Sequence, residues 1–384
     1  MKKNFLRDYQ ERVVEQVVAA YESGARSILL IAPTGSGKTR MVSAAIAKLN
    51  LRCASFAHRR EIVKQIGDAM SAAGVAKHYE CTTTAAKALK LAAGRDCDAL
   101  FIDEAHHIAA PSYLALLRAG RGKFVIGATA TPYRADGARI DEIFDVVVTT
   151  GSARSLSDKG YLANVEYYAA SNVDFEGIKR NIKNDFDSDE AFERVRISIQ
   201  AGDLIRSWSE HAAMAPALIY CINQAHCELV KDELSAAGIK CAVVTSRTKT
   251  SERNQSITLF EKKQISALIN CEIFTEGTDI KGVHTIVLLR PTLSRSLYKQ
   301  IIGRGLRPDV DCKVIDHVGN HLRHGDVLNE DELATMRRAG VVKETQGANR
   351  AMEVQVGRMA MHIELVEAQM TRVMVPPAFR QGRM

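Results

Sequence analysis

No stretch of this 384-residue chain approaches the ~18 consecutive apolar residues that a membrane-spanning helix needs. The opening Met1-Lys2-Lys3-Asn4 leads into no signal-like apolar core, so the expected location is the compartment of synthesis, the cytoplasm. Cysteine pairs are missing too. Cys53, Cys81, Cys97, Cys221, Cys227, Cys241, Cys271 and Cys312 form no Cys-x-x-Cys, which removes the usual zinc spacing. Most lie in apolar runs such as Leu218-Ile219-Tyr220-Cys221, as buried free thiols in a reducing compartment would. No strong charge excess exists: the net charge of +7 points only weakly to nucleic acid and suits many other proteins. With 46% hydrophobic and 25% charged residues the chain is of ordinary globular type, long enough for two domains and a smaller appendage.

What is present is organised around Ala32-Pro33-Thr34-Gly35-Ser36-Gly37-Lys38-Thr39. The short, β-rich Ser27–Ile31 precedes it, and helical spacing of apolar residues follows from Arg40 to Leu49. In that strand–loop–helix context the glycines turn backbone N–H groups around a polyphosphate, Lys38 reaches its β/γ oxygens, and Thr39 places a hydroxyl on Mg²⁺. The positive end of the following helix faces the same anion. Ala32 stands where the stricter pattern has its first glycine.

Phe5-Leu6-Arg7-Asp8-Tyr9-Gln10 opens a helix with Val13, Val14, Val17 and Val18 on one face. The Gln10 amide suits an adenine edge, or else is a solvated surface group. A second strand spans Leu51 to Ala57, and His58-Arg59-Arg60-Glu61 starts the helix after it. Arg59 and Arg60 either hold a phosphate backbone on the ligand edge or form a solvated turn. Cys81-Thr82-Thr83-Thr84 reads as another helix start, its hydroxyls serving a cap or phosphate contacts. Ala99–Ile102 delivers Asp103-Glu104-Ala105-His106 to the edge of the phosphate loop. There Asp103 can hold the Mg²⁺ shell and Glu104 can activate a water. Phe124–Gly127 leads to Ala128-Thr129-Ala130-Thr131-Pro132, and the β-like runs Asp145–Val148 and Val165–Tyr168 close the first half.

The charged stretch from Asp174 to Glu193 and the helical Ile197–His211 read as a connector, with Leu204, Ile205 and Trp208 as its apolar side. A second α/β alternation then begins at Ala217, without a phosphate loop of its own. It passes Thr275-Glu276-Gly277-Thr278-Asp279 and reaches Gln300-Ile301-Ile302-Gly303-Arg304-Gly305-Leu306-Arg307. Arg304 and Arg307, three apart, share a helical face. Two α/β units, one with a phosphate loop and one with paired arginines, suggest a composite site where the arginines meet a γ-phosphoryl group.

In this order the motifs resemble a superfamily 2 helicase of the DEAH-box type, with the flavour of bacterial and phage DNA translocases of the RadD and UvsW kind. The resemblance runs from about Phe5 to Gly325 and implies two tandem RecA-like parallel-sheet domains with an ATP cleft between them and a helical C-terminal tail. The implied bounds are 1–171 for the first domain, 172–214 for the connector, 215–325 for the second domain and 326–384 for the appendage. It implies adenine reading by Arg7 and Gln10, and ribose contacts near Gly277 and Asp279. His106, Thr129 and Thr131 would couple hydrolysis to strand movement, and Arg59, Arg60, Thr82 and Thr275 would touch nucleic acid. Glu104, Gln300, Arg304 and Arg307 would be catalytic, with Gln300 beside the attacking water. Gln300 stands where DEAD-box RNA helicases usually carry His, which favours DNA. The implied function is an ATP- and Mg²⁺-dependent helicase or translocase in replication, recombination or repair, in a bacterial or phage-infected cell.

Two other readings stand beside it: an RNA helicase, and a non-unwinding ATPase or interaction subunit of a nuclease or loader complex. No nuclease constellation and no cysteine cluster after Cys312 accompany the motifs. Beyond the core, Met352, Val356, Met359, Ile363, Val366, Met370 and Val373 repeat at spacings of four and three before Pro376-Pro377. A helix is expected there, packed on the motor, self-associating or docking a partner protein. The expected state of the chain is a monomer.

Overall fold

Short apolar segments become the strands of two sheets, the central ones buried. The computed structural model describes residues 6–329, apart from 58–59, 83–86, 108–110, 131–139, 141–143, 170–172, 182–184, 199–202, 275–279 and 309. The tail helix expected beyond residue 329 therefore lies outside the described residues. By internal packing the chain divides into Met1–Asn164 with Ile273–Lys281 and Ser296–Val310, and Val165–Glu272 with Gly282–Arg295 and Asp311–Met384.

The first unit opens with α1 (Asp8–Glu22), which buries Val13, Val14, Val17 and Val18. Then come β1 (Ser27–Ile31), α2 (Lys38–Lys48), β2 (Cys53–Ala57), α3 (Arg60–Ala73), β3 (His78–Thr82) and α4 (Ala88–Ala93). β4 (Ala99–Asp103), a 3₁₀ turn at Ala105–His107, α5 (Pro111–Ala119), β5 (Phe124–Thr129), β6 (Val146–Thr149) and α6 (Ala153–Asp158) complete it. The strand order is β3-β2-β4-β5-β1-β6, with every pairing parallel. Parallel strands need helical crossovers that cover both faces, which is why β2 and β4 are buried at every residue.

The second unit holds β7 (Val165–Ala169), α7 (Ser188–Ser198), α8 (Asp203–Ala212), β8 (Ala217–Tyr220), α9 (Gln224–Ala236) and β9 (Cys241–Val244). α10 (Thr250–Glu261), β10 (Ala267–Asn270), β11 (Thr285–Leu288), β12 (Cys312–Asp316) and α12 (Asn320–His324) follow. The helix α11 (Arg295–Ile302) lies between β11 and β12 in sequence, and its residues from Ser296 onward pack in the first unit. The second sheet is again wholly parallel, ordered β7-β12-β11-β8-β10-β9. Trp208 of α8 is fully buried among Ile219, Val230, Leu234, Ile269 and Val287. Its Nε1 donates to the Ala215 carbonyl at 2.8 Å, which removes the penalty of burying the indole N–H.

Two parallel-sheet α/β domains are thus present, the tandem RecA-like class expected from the sequence. Two local expectations are corrected. Cys81-Thr82 does not start a helix: it ends β3, where β-branched Thr82 pairs with Ala57, and the next helix begins only at Ala88. Val165–Tyr168, expected to close the first half of the chain, belongs to the second sheet. It pairs with β12 in the second, where Tyr167 stacks on His321 at 4.0 Å and Tyr168 on His211 at 4.4 Å. Among the described residues no helix is long and apolar enough to cross a membrane.

Candidate active site

Because every pairing in the first sheet is parallel, all its strands end on one edge. Ile31 pairs with Thr129 and Asp103 with Ala128, so the loop after β1, the end of β5 and the acidic end of β4 are neighbours. Thr82 ends β3 on the same edge, and exposed Arg60 opens α3 there.

The loop takes its shape from Gly35 and Gly37, at φ +85° and +86°, a region L side chains rarely adopt. At Gly37 a Cβ would also lie 2.6 Å from Gln10 Nε2. The first intrahelical bond of α2 runs from Met41 N to Gly37 O, so the Lys38 and Thr39 amides precede the ladder. Lys38 Nζ folds back to donate to the Ala32 carbonyl at 3.3 Å, and Ser36 Oγ donates to Pro33 O at 2.7 Å.

The start of α1 holds this loop. Gln10 Nε2 donates to Ser36 O at 2.8 Å, Tyr9 OH donates to the same carbonyl at 2.6 Å, and Gln10 Oε1 accepts from Arg7 N at 3.0 Å. Gln10 is therefore buried against the loop and is not a solvated surface amide. Arg7 Nη1 donates to Tyr161 O at 2.9 Å, and Tyr161 packs its ring 4.8 Å from that of Tyr9. Burial raises the Tyr9 phenol above its ordinary pKa, outweighing the opposing Arg7 charge. Tyr9 and Tyr161 escaped the sequence reading; only the place of Tyr9 beside Gln10 signalled the first.

Asp103 is buried at the end of β4, and Glu104 sits at φ +49°. A non-glycine residue in that region stores strain of order 1–3 kcal/mol, which persists where the surroundings over-determine it. His106 Nδ1 lies 3.3 Å from Glu104 Oε2 and 3.2 Å from Thr129 Oγ1. One nitrogen thus faces a carboxylate that only accepts and a hydroxyl that can donate.

The segment Ser296–Val310 packs within the first unit, beside the loop. A Cβ on Gly303 would lie 2.5 Å from Thr34 Cβ, so only glycine lets the end of α11 approach the loop this closely. Leu306 and Leu162 flank Gly35, and Ala163 N donates to Leu306 O at 3.2 Å. Gln300 is buried, Arg304 is half-buried, and Arg307 Nη1 donates to the Ile280 carbonyl. The structure brings together Gln10, Thr34–Thr39, Asp103, Glu104, His106, Thr129 and Gly303–Arg307. Arg59, Thr131, Thr275, Gly277 and Asp279 lie outside the described residues.

Two families match separate parts of the chain: Type III restriction enzyme, res subunit, at residues 3–88, and Helicase conserved C-terminal domain at residues 201–309. The chain is 28% identical over 360 residues to IRC3 of Saccharomyces cerevisiae, a protein designated a candidate ATP-dependent helicase, covering 82% of this chain and 51% of IRC3. It is 28% identical over 304 residues to a 51.5 kDa protein of Lactococcus phage isolate 7-9, covering 77% of this chain and 67% of the phage protein. The chain thus spans about half the length of its yeast relative. In fold it resembles a fragment of a candidate HsdR subunit of a type I restriction enzyme from Vibrio vulnificus YJ016, with a TM-score of 0.65 and 21% identity, over 83% of this chain and 65% of that one. The domain matches, read with the two parallel sheets, support a superfamily 2 helicase core.

Proposed function

We propose that this chain is an ATP-driven motor on nucleic acid, acting on DNA in the manner of the RadD and UvsW translocases to unwind or remodel duplexes in replication, recombination or repair. The observation that carries this reading is the meeting of the Lys38 loop, the Asp103-Glu104 pair and the His106–Thr129 contact on one sheet edge.

Thr39 and Asp103 are hard oxygen donors suited to Mg²⁺, which takes few protein ligands and completes its shell with water and phosphate oxygens. Among the described residues no cluster of three or more His, Cys, Asp or Glu forms a dedicated metal cage. When bound, Mg²⁺ supplies neutralising charge on the β/γ oxygens. The chain's own residues do the rest. Thr34, Gly35, Ser36, Gly37 and Lys38 cradle the phosphates; Arg7 and Gln10 serve the adenine; Gly277 and Asp279 serve the ribose. Glu104 takes a proton from the attacking water, Gln300 orients that water, and Arg304 and Arg307 stabilise charge on the transferring group. His106, Thr129 and Thr131 relay turnover to the strand contacts of Arg59, Arg60, Thr82 and Thr275.

Gln300 and the match to the restriction-enzyme res subunit support DNA over RNA. The test is ATP hydrolysis by the full chain against a panel of single-stranded, forked, junction and RNA-containing substrates. Stimulation by DNA structures beyond that by RNA is expected. Equal or greater stimulation by RNA contradicts the DNA assignment, and indifference to every substrate leaves an ATPase that is not a motor.

A further inference from the structure

Thr292 is fully buried three residues before α11, and each of its polar groups is held by a side chain from elsewhere in the second unit. Its N–H donates to Asn320 Oδ1 at 2.9 Å, and its hydroxyl donates to Asp185 Oδ2 at 2.8 Å. Its carbonyl lies 2.8 Å from His324 Nε2. A carbonyl only accepts, so that nitrogen carries the proton. The next amide, Leu293 N, donates to Asp185 Oδ1 at 2.7 Å, and Asn320 Nδ2 donates to Arg290 O at 2.8 Å. Residues 290–293 are thereby bound on one side by Asp185 from the connector and on the other by α12.

The two holding segments are themselves joined. Arg323 donates to Asn320 Oδ1 at 3.0 Å and lies over the rings of Phe175 and Phe186 at 5.8 and 5.3 Å. Asp185 accepts from Phe186 N at 3.0 Å, and the Arg290 guanidinium stands 3.8 Å from its carboxylate. A buried carboxylate this completely engaged costs free energy to install unless its partners hold a defined geometry.

The chain that leaves this anchor becomes α11, which carries Gln300 and leads to Arg304 and Arg307. We infer that Asp185, backed by Asn320, is a positioning residue for the arginine-bearing segment, fixing the backbone from which α11 departs. The inference rests on the proposed role of Arg304 and Arg307. A group that acts on a transition state loses effect steeply with displacement, about 10²-fold for 1 Å. Loss of the anchor therefore lowers turnover far more than nucleotide affinity.

The experiment compares the full-length wild type with Asp185→Ala, Thr292→Val and the control Lys179→Ala, which breaks only the exposed Lys179–Glu190 pair. kcat and KM for ATP are read at saturating DNA, with amide exchange measured over 290–302. Asp185→Ala is expected to lose about tenfold or more in kcat with KM within about twofold, Thr292→Val less, and the control nothing. Exchange in 293–302 should rise while that of the Lys38 loop stays constant. Unchanged kcat and exchange overturn the inference, as does a kcat loss matched by an equal KM rise and a fall in melting temperature. A wild type without ATPase defeats the proposed function instead, and the exchange experiment alone then decides whether Asp185 holds α11.

Discussion

His106 Nδ1 and Thr129 Oγ1 lie 3.2 Å apart, and the same nitrogen lies 3.3 Å from Glu104 Oε2. A ring nitrogen has one proton or one lone pair to offer. Protonated, Nδ1 donates to Glu104; unprotonated, it accepts from Thr129. The end of β5 and Glu104, the acid proposed to activate water, therefore compete for one atom, which gives the two a shared state.

Thr129→Val removes the competing hydroxyl and leaves a side chain of similar shape at a fully buried position. Nucleotide affinity should stay within about threefold, while the stimulation of turnover by DNA falls about five- to tenfold, since one buried hydrogen bond is worth about 1–1.5 kcal/mol. ATPase titrations with and without DNA check this. Unchanged stimulation removes Thr129 from the relay.

Gly303→Ala should be costly for a reason confined to the loop. The added carbon would stand 2.5 Å from Thr34 Cβ, a contact that no rotamer change of Thr34 relieves. Forcing the end of α11 away should cost about 1–3 kcal/mol. A lower melting temperature and at least tenfold weaker binding of a fluorescent ATP analogue are expected. Alanine at the solvent-facing Gly238 tests ordinary left-handed strain for comparison, at φ +74° with open space around it.

The second unit should lose stability in mild acid. Burial pushes His226, His317 and His321 down to about 4 and His324 to about 3. Around them stand Ser207, Asp203 and His211 at His317, Asp326 at His321, and Arg323 and Arg295 at His324. Once unfolded, these imidazoles bind protons below about 6.5, so stability falls as pH drops from about 6.5 towards 4. Asp316 acts oppositely: burial raises it to about 6, so the folded state holds its proton and gains as pH falls through that value. The net expectation is uptake of about three protons on unfolding near pH 5. Denaturant titrations at pH 7, 6 and 5 measure it, and a midpoint independent of pH refutes it.

Much of this was legible in the sequence because it is local. Ser27–Ile31, the glycine loop and Lys38–Lys48 are contiguous, and so is Ala99–Glu104. What escaped depends on residues far apart in the chain. Tyr9 and Tyr161 meet over 152 positions, and Gly303 meets Thr34 over 269. Neither pair leaves a periodic trace. Gln10 showed its chemistry but not its partner, since a glutamine on a helix looks the same whether water or Ser36 receives it. Thr82 misled because Thr caps helices and also suits strands, and only pairing with Ala57 decides between them. The exchange of β7 between sheets was hidden for the same reason: a β-like run does not name its neighbour.

The most direct test of the account is Glu104→Gln, which keeps the size and the strained backbone position while removing the base. With Mg²⁺ and DNA, nucleotide affinity should remain within about threefold of wild type while kcat falls about 10²–10⁴-fold, the usual worth of a positioned general base. Turnover at the wild-type rate in that variant would contradict the assignment of the site.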